Sequence, residues 1–247
     1  MIPIGGAVTL RNITMEDHTW RTGGGASVLG VPVASGTKLM AGIDFWVDAL
    51  TQRTVVVDDS GNVYKDDGTG NAWVAVASGL TTGTVRKPQL VLGGSETTGA
   101  NRKVFYCDGV NGVRRLSGDG GAASMIAIAS PPADWSGTNQ PLGLVVHQGY
   151  MWGFGNANSP HTLYRSLQTD HENYTTTPYS LTVFPGEGQY ITAALSFKGG
   201  MIVWKFPEFA YFIDTTDPTP ANWQIKRIGR AGAGGFGCPT LLEHDAV

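Results

Sequence analysis

The chain has 247 residues, of which 41% are hydrophobic and only 15% are charged, well below the roughly 25% charged share of ordinary soluble domains. Seven Trp, eight Tyr and nine Phe supply enough apolar area for a core, which excludes an intrinsically disordered chain. The formal net charge of −3 indicates no basic surface for nucleic acid, and no apolar run is long enough to predict a membrane span.

Residues 1–36 are predicted to be an N-terminal segment that leads into the folded domain. The segment contains a strand-like run at residues 8–13, "VTLRNI", followed by "TWRTGGG" at residues 19–25. Its first seven residues lack a charged n-region and an apolar h-region, so no signal peptide is predicted.

A group of four short apolar runs begins at residue 39 with "LMAGIDFWV" and continues with "RTVVVDD", "NVYKDD" and "AWVAVAS". The turn "DDSGN" separates the second and third runs. Its Ser, Gly and Asn tolerate a positive φ, so it predicts a tight hairpin. A calcium loop is the alternative for this turn, but no Glu stands at the twelfth position of the loop.

Three further groups follow the first. The second consists of "PQLVLGG", "RKVFYCDG", "NGVRRLSG" and "SMIAIAS", with "DGVNG" at the same turn position. The third consists of "PLGLVVHQG", "YMWGFG", "HTLYRS" and "YSLTVFPG", and the fourth of "QYITAALSFKGG", "MIVWKF", "EFAYFIDT" and "ANWQIKRIG". Glycine and proline interrupt nearly every candidate helix, so the chain is predicted to be almost entirely β.

Four groups of four strands, each about 50 residues after the last, are typical of an all-β fold of the β-propeller type with four-stranded antiparallel blades. The blades are expected to open near Met40, Leu90, Leu142 and Ile191, within a domain that spans residues 37–247. The small residues in "MAGI" and "ITAALS" suit a crowded innermost strand. The terminal "CPTLLEHDAV" resembles the start of a further, incomplete blade, which N-terminal strands could share. A two-sheet sandwich is the competing architecture.

Candidate reactive residues are few, and we predict no catalytic, cofactor-binding or metal-binding residue. His147, His161 and His171 suggest a metal site, but His161 and His171 flank one predicted strand and are expected at its opposite ends. Cys107 and Cys238 lie in separate runs and are expected to be buried thiols without a disulfide. The spacing in "RAGAGGFG" precedes no helix, so it does not predict a phosphate-binding loop.

The polar cluster Asp170, His171 and Glu172 suggests general acid–base chemistry. Adjacent residues of an extended loop point in different directions, however, and glycoside hydrolysis needs two carboxylates that face each other. We therefore expect Asp170 to fix the loop by accepting backbone N–H groups, and His171 and Glu172 to be exposed. Phe105, Trp152 and Trp204 are expected to be buried, because each lies in the second apolar run of its group.

Four segments, "TMEDHTWRTGGG", "HQGYMWGFGNANSPHTLYRSLQTDHENY", "SFKGGMIVWKFPEFAYFIDTTDP" and "GFGCPTLLEHDAV", resemble in order and spacing the β-propeller tail proteins of double-stranded DNA bacteriophages. These are nozzle- or hub-like proteins near the portal end of the tail. Tyr150 stands where that family usually has Arg, a departure that removes a cation. The matching residues of the middle blade are His147, Gln148, Gly149, Trp152, Leu163, Tyr164, Ser166, Asp170 and Tyr174.

The resemblance implies a structural virion protein of the tail, without enzymatic activity or cofactor, that forms a homo-oligomeric ring around the DNA exit channel. Its partners would be neighbouring tail or portal-proximal proteins, with passing contact to viral DNA. The alternative is a glycan-binding or glycoside-cleaving propeller that acts in receptor recognition. In that case loop aromatics such as Trp135 and Tyr174 could stack on sugar rings, although such residues more often pack between blades.

Overall fold

The computed structural model describes residues 13–16, 19–22, 38–48, 50–69, 72–83, 88–94, 102–168, 170–206 and 209–230. Within these ranges the regular structure is β apart from a 3₁₀ turn at Pro220–Asn222. The proposed strand start at residues 238–247, Cys238 and the glycine-rich residues 230–237 fall largely or wholly outside the described residues, as do residues 8–12.

Among the described residues, eighteen strands form one hairpin and four antiparallel sheets, and each sheet is a meander of four consecutive strands. The hairpin joins β1 (Ile13–Glu16) to β2 (Thr19–Thr22). Blade 1 contains β3 (Leu39–Trp46), β4 (Gln52–Asp58), β5 (Val63–Asp66) and β6 (Trp73–Ala77), and blade 2 contains β7 (Gln89–Gly94), β8 (Arg102–Cys107), β9 (Arg114–Ser117) and β10 (Ile126–Ala127).

Blade 3 contains β11 (Gly143–His147), β12 (Tyr150–Phe154), β13 (Thr162–Arg165) and β14 (Tyr179–Thr182), and blade 4 contains β15 (Ile191–Phe197), β16 (Gly200–Lys205), β17 (Phe209–Asp214) and β18 (Gln224–Arg230). The predicted all-β, propeller-like fold with four-stranded blades is therefore confirmed, and the blades open where the sequence repeat places them. The competing two-sheet sandwich is wrong, because each group of four consecutive strands forms its own sheet.

The first strands of successive blades lie side by side, in the order β3, β7, β11 and β15. Among these described strands, no comparable contact joins β15 back to β3. The four blades therefore form an arc around the axis rather than a closed ring of four. The outward face of blade 1 leaves Met40 and Trp46 45% and 48% exposed, and that of blade 4 carries half-buried Ile202, Trp204 and Phe212.

In the described part of the chain the buried core consists of three layers, one at each junction between successive blades. The first unites Phe45, Val55 and Val57 of blade 1 with Val104 and Leu116 of blade 2. Blades 2 and 3 share a second layer and blades 3 and 4 a third. Apolar side chains on alternate positions of each strand thus face the neighbouring blade, and burial of this surface joins the blades.

Burial confirms two of the three predicted aromatic core positions. Phe105 and Trp152 are completely buried in the layers that join blade 2 to blade 3 and blade 3 to blade 4. Trp204 is only half-buried, so the prediction that it is buried is wrong. Its side chain lies on the outward face of blade 4, where no further blade covers it among the described residues.

The turns between the second and third strands of blades 1 and 2 are stabilised by the same pattern of hydrogen bonds. Asp58 accepts the backbone N–H groups of Ser60 and Asn62 at 3.0 and 2.7 Å, and Asp108 accepts those of Val110 and Asn111 at 2.9 and 2.7 Å. The turn therefore needs its aspartate as a backbone acceptor, which confirms the hairpin that "DDSGN" predicts.

Candidate functional site at the ends of the inner strands

A cleft of about 640 Å³ lies where the first strands of blades 1, 2 and 3 end. Trp46 and Leu92 are nearly half exposed, and Arg102 and Lys103 add positive charge to the same lining. His171 reaches this cleft from the loop between β13 and β14. The sequence-predicted polar cluster is thus brought to the axis of the arc.

His171 joins blade 2 to blade 3 through both of its ring nitrogens. The backbone N–H of Gly94 donates to Nδ1 at 2.9 Å, and Nε2 lies 2.8 Å from the carbonyl oxygen of Gly149. Because a carbonyl only accepts, Nε2 carries the proton and the imidazole is neutral. His171 is only 4% exposed, so the predicted exposure of this residue is wrong.

Glu172 makes the ionic part of the same junction. Its Oε1 accepts hydrogen bonds from Lys103 Nζ at 2.6 Å and from Arg115 Nε at 2.9 Å, both on blade 2. Burial by itself raises the pKa of Glu172, but the hydrogen bonds from Lys103 and Arg115 outweigh it and the net pKa lies below its ordinary value. Glu172 is 6% exposed, which corrects the prediction of an exposed carboxylate.

Asp170 supports the loop as the sequence predicts. Its Oδ1 accepts the backbone N–H of Glu172 at 3.0 Å, and its carbonyl accepts that of Asn173 at 3.2 Å. The loop buries His171 and Glu172 because it folds back onto blade 2, where Ser130 and Asn173 form an isolated parallel bridge. His171 Nδ1 and Glu172 Oε1 consequently bind groups of blade 2.

An equivalent ionic junction connects blades 1 and 2. Asp119 binds Arg53 through two hydrogen bonds, from Nε at 2.7 Å and from Nη2 at 2.8 Å, and it accepts a third from Lys65 Nζ at 2.7 Å. The Arg53 hydrogen bonds, followed by those of Lys65, lower the pKa of Asp119 to about 2 against the opposing effect of burial. Sequence reasoning missed this junction entirely.

The strand registers show that the two junctions occupy the same blade positions. Val55 pairs with Lys65 in blade 1, and Phe105 pairs with Arg115 in blade 2. Two residues before Val55 and Phe105 on the same strands are Arg53 and Lys103. Each pair of cations therefore receives one carboxylate from the following blade, a signal that alignment of the four groups could have found.

His147 has a related role between blades 3 and 4. Its Nδ1 lies 2.8 Å from Ser196 Oγ and its Nε2 lies 2.7 Å from Thr215 Oγ1. Thr215 donates its hydroxyl proton to the carbonyl of Gly199 at 3.1 Å, so His147 Nε2 donates to Thr215. Burial lowers the pKa of His147, which keeps the ring neutral.

The three histidines do not form a metal site among the described residues. His147 contacts blade 4, His171 contacts blade 2, and His161 lies before β13 with a buried Nδ1 that has no hydrogen-bond partner. The described residues contain no group of three or more His, Cys, Asp or Glu side chains placed to hold a metal ion. Cys107 is buried, as expected.

Trp135 and Tyr174, the aromatic candidates for a sugar platform, are 5% and 4% exposed. Their ring centroids are 4.9 Å apart in the layer that joins blades 2 and 3. Both side chains therefore belong to the core, and neither can stack on a sugar from solvent.

No family model matches the chain, and no curated protein matches it. Among solved structures it is similar to BBS1N in complex with ARL6DN, in crystals soaked with lead, with 14% identity over 75% of this chain and 52% of that chain and a TM-score of 0.44. The crystal of the same complex soaked with mercury gives a TM-score of 0.43 at 14% identity, covering 71% of this chain and 51% of that chain.

The structure of HIRA(644-1017) is similar at 12% identity over 82% of this chain and 57% of that chain, with a TM-score of 0.33. The chain thus spans between half and three fifths of the chains that it matches, and similarities of this size carry no argument about its function. No helix among the described residues is long and apolar enough to cross a membrane. The strand topology and the inter-blade core define a protein of the β-propeller-like class.

Proposed function

We propose that this chain is a structural virion protein of a bacteriophage tail, of the nozzle or hub type, and not an enzyme. The proposal is based on the contacts that the polar residues of the resemblance make, because these contacts lie within and between blades. His147 and Gln148 bind Thr215 of blade 4, while Ser166 and Asp170 order the loop whose His171 and Glu172 bind blade 2. These side chains serve cohesion between blades.

Glycoside cleavage, the enzymatic alternative, has less support from the same loop. It requires one carboxylate that protonates a leaving group and a second that attacks or activates water. Glu172 already neutralises two cations of blade 2, and Asp170 accepts the N–H of its own loop. An ion-paired carboxylate with a lowered pKa is a poor general acid near neutral pH.

The proposed partners are neighbouring tail or portal-proximal proteins and further copies of this chain in a ring around the DNA path. The apolar outward faces of blades 1 and 4 support this proposal, because apolar surface of this kind is favourable to bury against another protein. Native mass spectrometry of the purified protein tests the ring. A uniform closed oligomer is expected, and a monomer at every concentration would contradict that part of the proposal.

The location in the virion is tested with the phage or prophage that encodes the chain. Particles are purified from a strain with a nonsense codon in this gene, with and without a plasmid that supplies the protein. We expect the complemented particles to contain the protein in stoichiometric amounts by mass spectrometry, and the uncomplemented ones to show truncated tails or lost DNA. Normal infectious particles that lack the protein would refute the proposal.

The matched control is an untagged plasmid copy that carries Leu50→Ser. Leu50 is 93% exposed, so its replacement is expected to leave folding and incorporation unchanged.

In parallel, soluble wild-type protein is incubated with capsular and lipopolysaccharide glycans. Release of reducing sugar that depends on Glu172 would establish the enzymatic alternative.

A further inference from the structure

His171 binds two backbone groups whose hydrogen-bonding roles are fixed. Its Nδ1 accepts from the N–H of Gly94 in blade 2 at 2.9 Å, and its Nε2 donates to the carbonyl of Gly149 in blade 3 at 2.8 Å. A backbone N–H only donates, so the contact with Gly94 requires an unprotonated Nδ1. An imidazolium carries a proton on both ring nitrogens. Protonation of His171 is therefore incompatible with its hydrogen bond to blade 2.

His147 provides a contrast within the same chain. Its Nδ1 contacts the hydroxyl of Ser196 and its Nε2 contacts that of Thr215, both in blade 4. A hydroxyl rotates and either donates or accepts. Ser196 can therefore accept from a protonated Nδ1, and both hydrogen bonds of His147 survive protonation. Of these two histidine contacts, only the one between blades 2 and 3 is broken by a proton.

The charges around His171 also disfavour an imidazolium. The charged groups on the elements packed around this ring are three cations of blade 2 and two carboxylates of its own loop: Arg102, Lys103, Arg115, Asp170 and Glu172. The described cleft-lining residues of blade 1, and those of blade 3 other than His171, carry no charge. Glu172 is already shared between Lys103 and Arg115. An added positive charge on His171 thus enters surroundings that are already positive in sum.

The ring of His171 lies directly on the backbone of β7, at the edge of the cleft of about 640 Å³. A β-carbon at Gly93 would lie 2.8 Å from Nδ1, so the glycine is what allows this close approach. No side chain of β7 separates the ring from the strand at this point. When the ring turns away into the cleft, water can therefore reach the N–H of Gly94.

We propose that His171 is an acid-sensitive switch between blades 2 and 3: its protonation breaks the hydrogen bond to Gly94 and releases the loop between β13 and β14 from β7. The contact is complete at neutral pH and is lost as the pH falls through about 6.5, where an exposed imidazole takes up a proton. Because the released ring accepts the proton and the bound ring does not, release becomes about tenfold more favourable per pH unit below that value. The apolar layer between the two blades stays in place, so the change is local. The switch does not depend on the chain being a tail protein.

Hydrogen exchange at pH 7.5 and 5.5 tests the proposal, measured by mass spectrometry with fragmentation that resolves the N–H of Gly94. The protection factor corrects for the pH dependence of exchange itself. At Gly94 it is expected to fall about tenfold between the two pH values. The amides of β16 in blade 4 are the internal reference and are expected to keep their protection. A constant protection factor at Gly94, or an equal fall in β16, would overturn the proposal.

His171→Gln keeps an acceptor for Gly94 and a donor for Gly149 but does not titrate. We expect this variant to show the same protection at Gly94 at both pH values, with its fold verified by circular dichroism. The matched control His147→Gln removes the other junction histidine and is expected to leave the tenfold fall at Gly94 unchanged. A fall that persists in folded His171→Gln, or that disappears in His147→Gln, would contradict the switch. The wild-type profile decides the question by itself where a variant does not fold.

Discussion

Blades 2 and 3 are joined by different contacts from those that join blades 3 and 4. At the first junction, Glu172 neutralises two cations of blade 2, and His171 links the backbone of Gly94 in blade 2 to that of Gly149 in its own blade. At the second, Trp152, Tyr179 and Trp223 pack edge to face or tilted. Side-chain hydrogen bonds cross this junction from His147 and Gln148 of blade 3 and from Lys205 of blade 4. The same blade geometry therefore tolerates ionic and aromatic contacts at equivalent positions.

The difference teaches that the apolar layer holds the blades together and the polar contacts fix how they are aligned. Fully buried side chains occur in all three layers, whereas the carboxylate occurs at only two junctions. Buried ion pairs gain little net stability because their desolvation offsets the attraction, although loss of one partner is costly. Substitutions in the apolar layer and at the polar contacts separate these two contributions.

The largest effect is expected for Trp152→Ala at the aromatic junction. Trp152 is fully buried, and its removal leaves a cavity against Tyr179 and Trp223, which should lower the free energy of unfolding by about 3–5 kcal/mol. Urea denaturation followed by tryptophan fluorescence measures the change. Trp204→Ala on the open face of blade 4 is the matched control and should cost less than half as much, and an equal loss would contradict the assignment of the two faces.

Glu172→Gln tests the ionic junction and is expected to cost about 2–4 kcal/mol. The amide keeps the shape of the side chain but leaves Lys103 and Arg115 without a neutralising charge at a mostly buried site. Thermal denaturation at neutral pH is the measurement. A triple variant that also replaces both cations with methionine should recover much of the loss, and failure to recover any of it would contradict the ionic explanation.

A smaller effect, about 1 kcal/mol, is expected for Asp170→Ala. The substitution removes the half-buried Asp170 carboxylate, which accepts one hydrogen bond from the backbone N–H of Glu172. The order of effects across the loop is therefore Glu172 above Asp170, the reverse of what the sequence suggested. Equilibrium unfolding of both variants under one set of conditions checks this order, with Asp170→Asn as the conservative control that keeps an acceptor.

The smallest effect, below about 1 kcal/mol at neutral pH, is expected for Asp119→Asn, because the Asp119 side chain is 43% exposed and water screens its ion pairs. The pKa of Asp119 is lowered from 3.8 to about 2. Its contribution is consequently present above about pH 4 and is lost as the pH falls toward 2. The unfolding free energy of the wild type should approach that of the variant over this interval, and parallel pH profiles would contradict it.

The strand quartets could be predicted from the sequence because they depend on local signals. Apolar runs and the aspartate turns at Asp58 and Asp108 locate the blades without knowledge of their packing. The junction contacts could not be predicted in this way, since Lys103 and Glu172 are 69 residues apart. A polar loop is predicted to be exposed as long as the blade against which it folds is unknown. For this reason the predicted exposure of His171 and Glu172 is wrong.

The predicted burial of Trp204 is wrong for the opposite reason. Its position in the second strand of the blade matches that of buried residues in earlier blades, but burial there depends on a following blade. The sequence pattern describes which face of a strand is apolar, and only the arrangement of blades determines whether that face is covered.

The direction of the ionic contacts has a consequence for biosynthesis. Each blade is one continuous stretch of chain, and Asp119 and Glu172 both reach back to cations of the blade that precedes them. A ribosome releases the N-terminal blade first, so each emerging blade meets a docking partner that has already been translated. We expect the nascent chain to assemble vectorially, one blade at a time, with the returning carboxylates of Asp119 and Glu172 committing blades 2 and 3 to the blades that precede them.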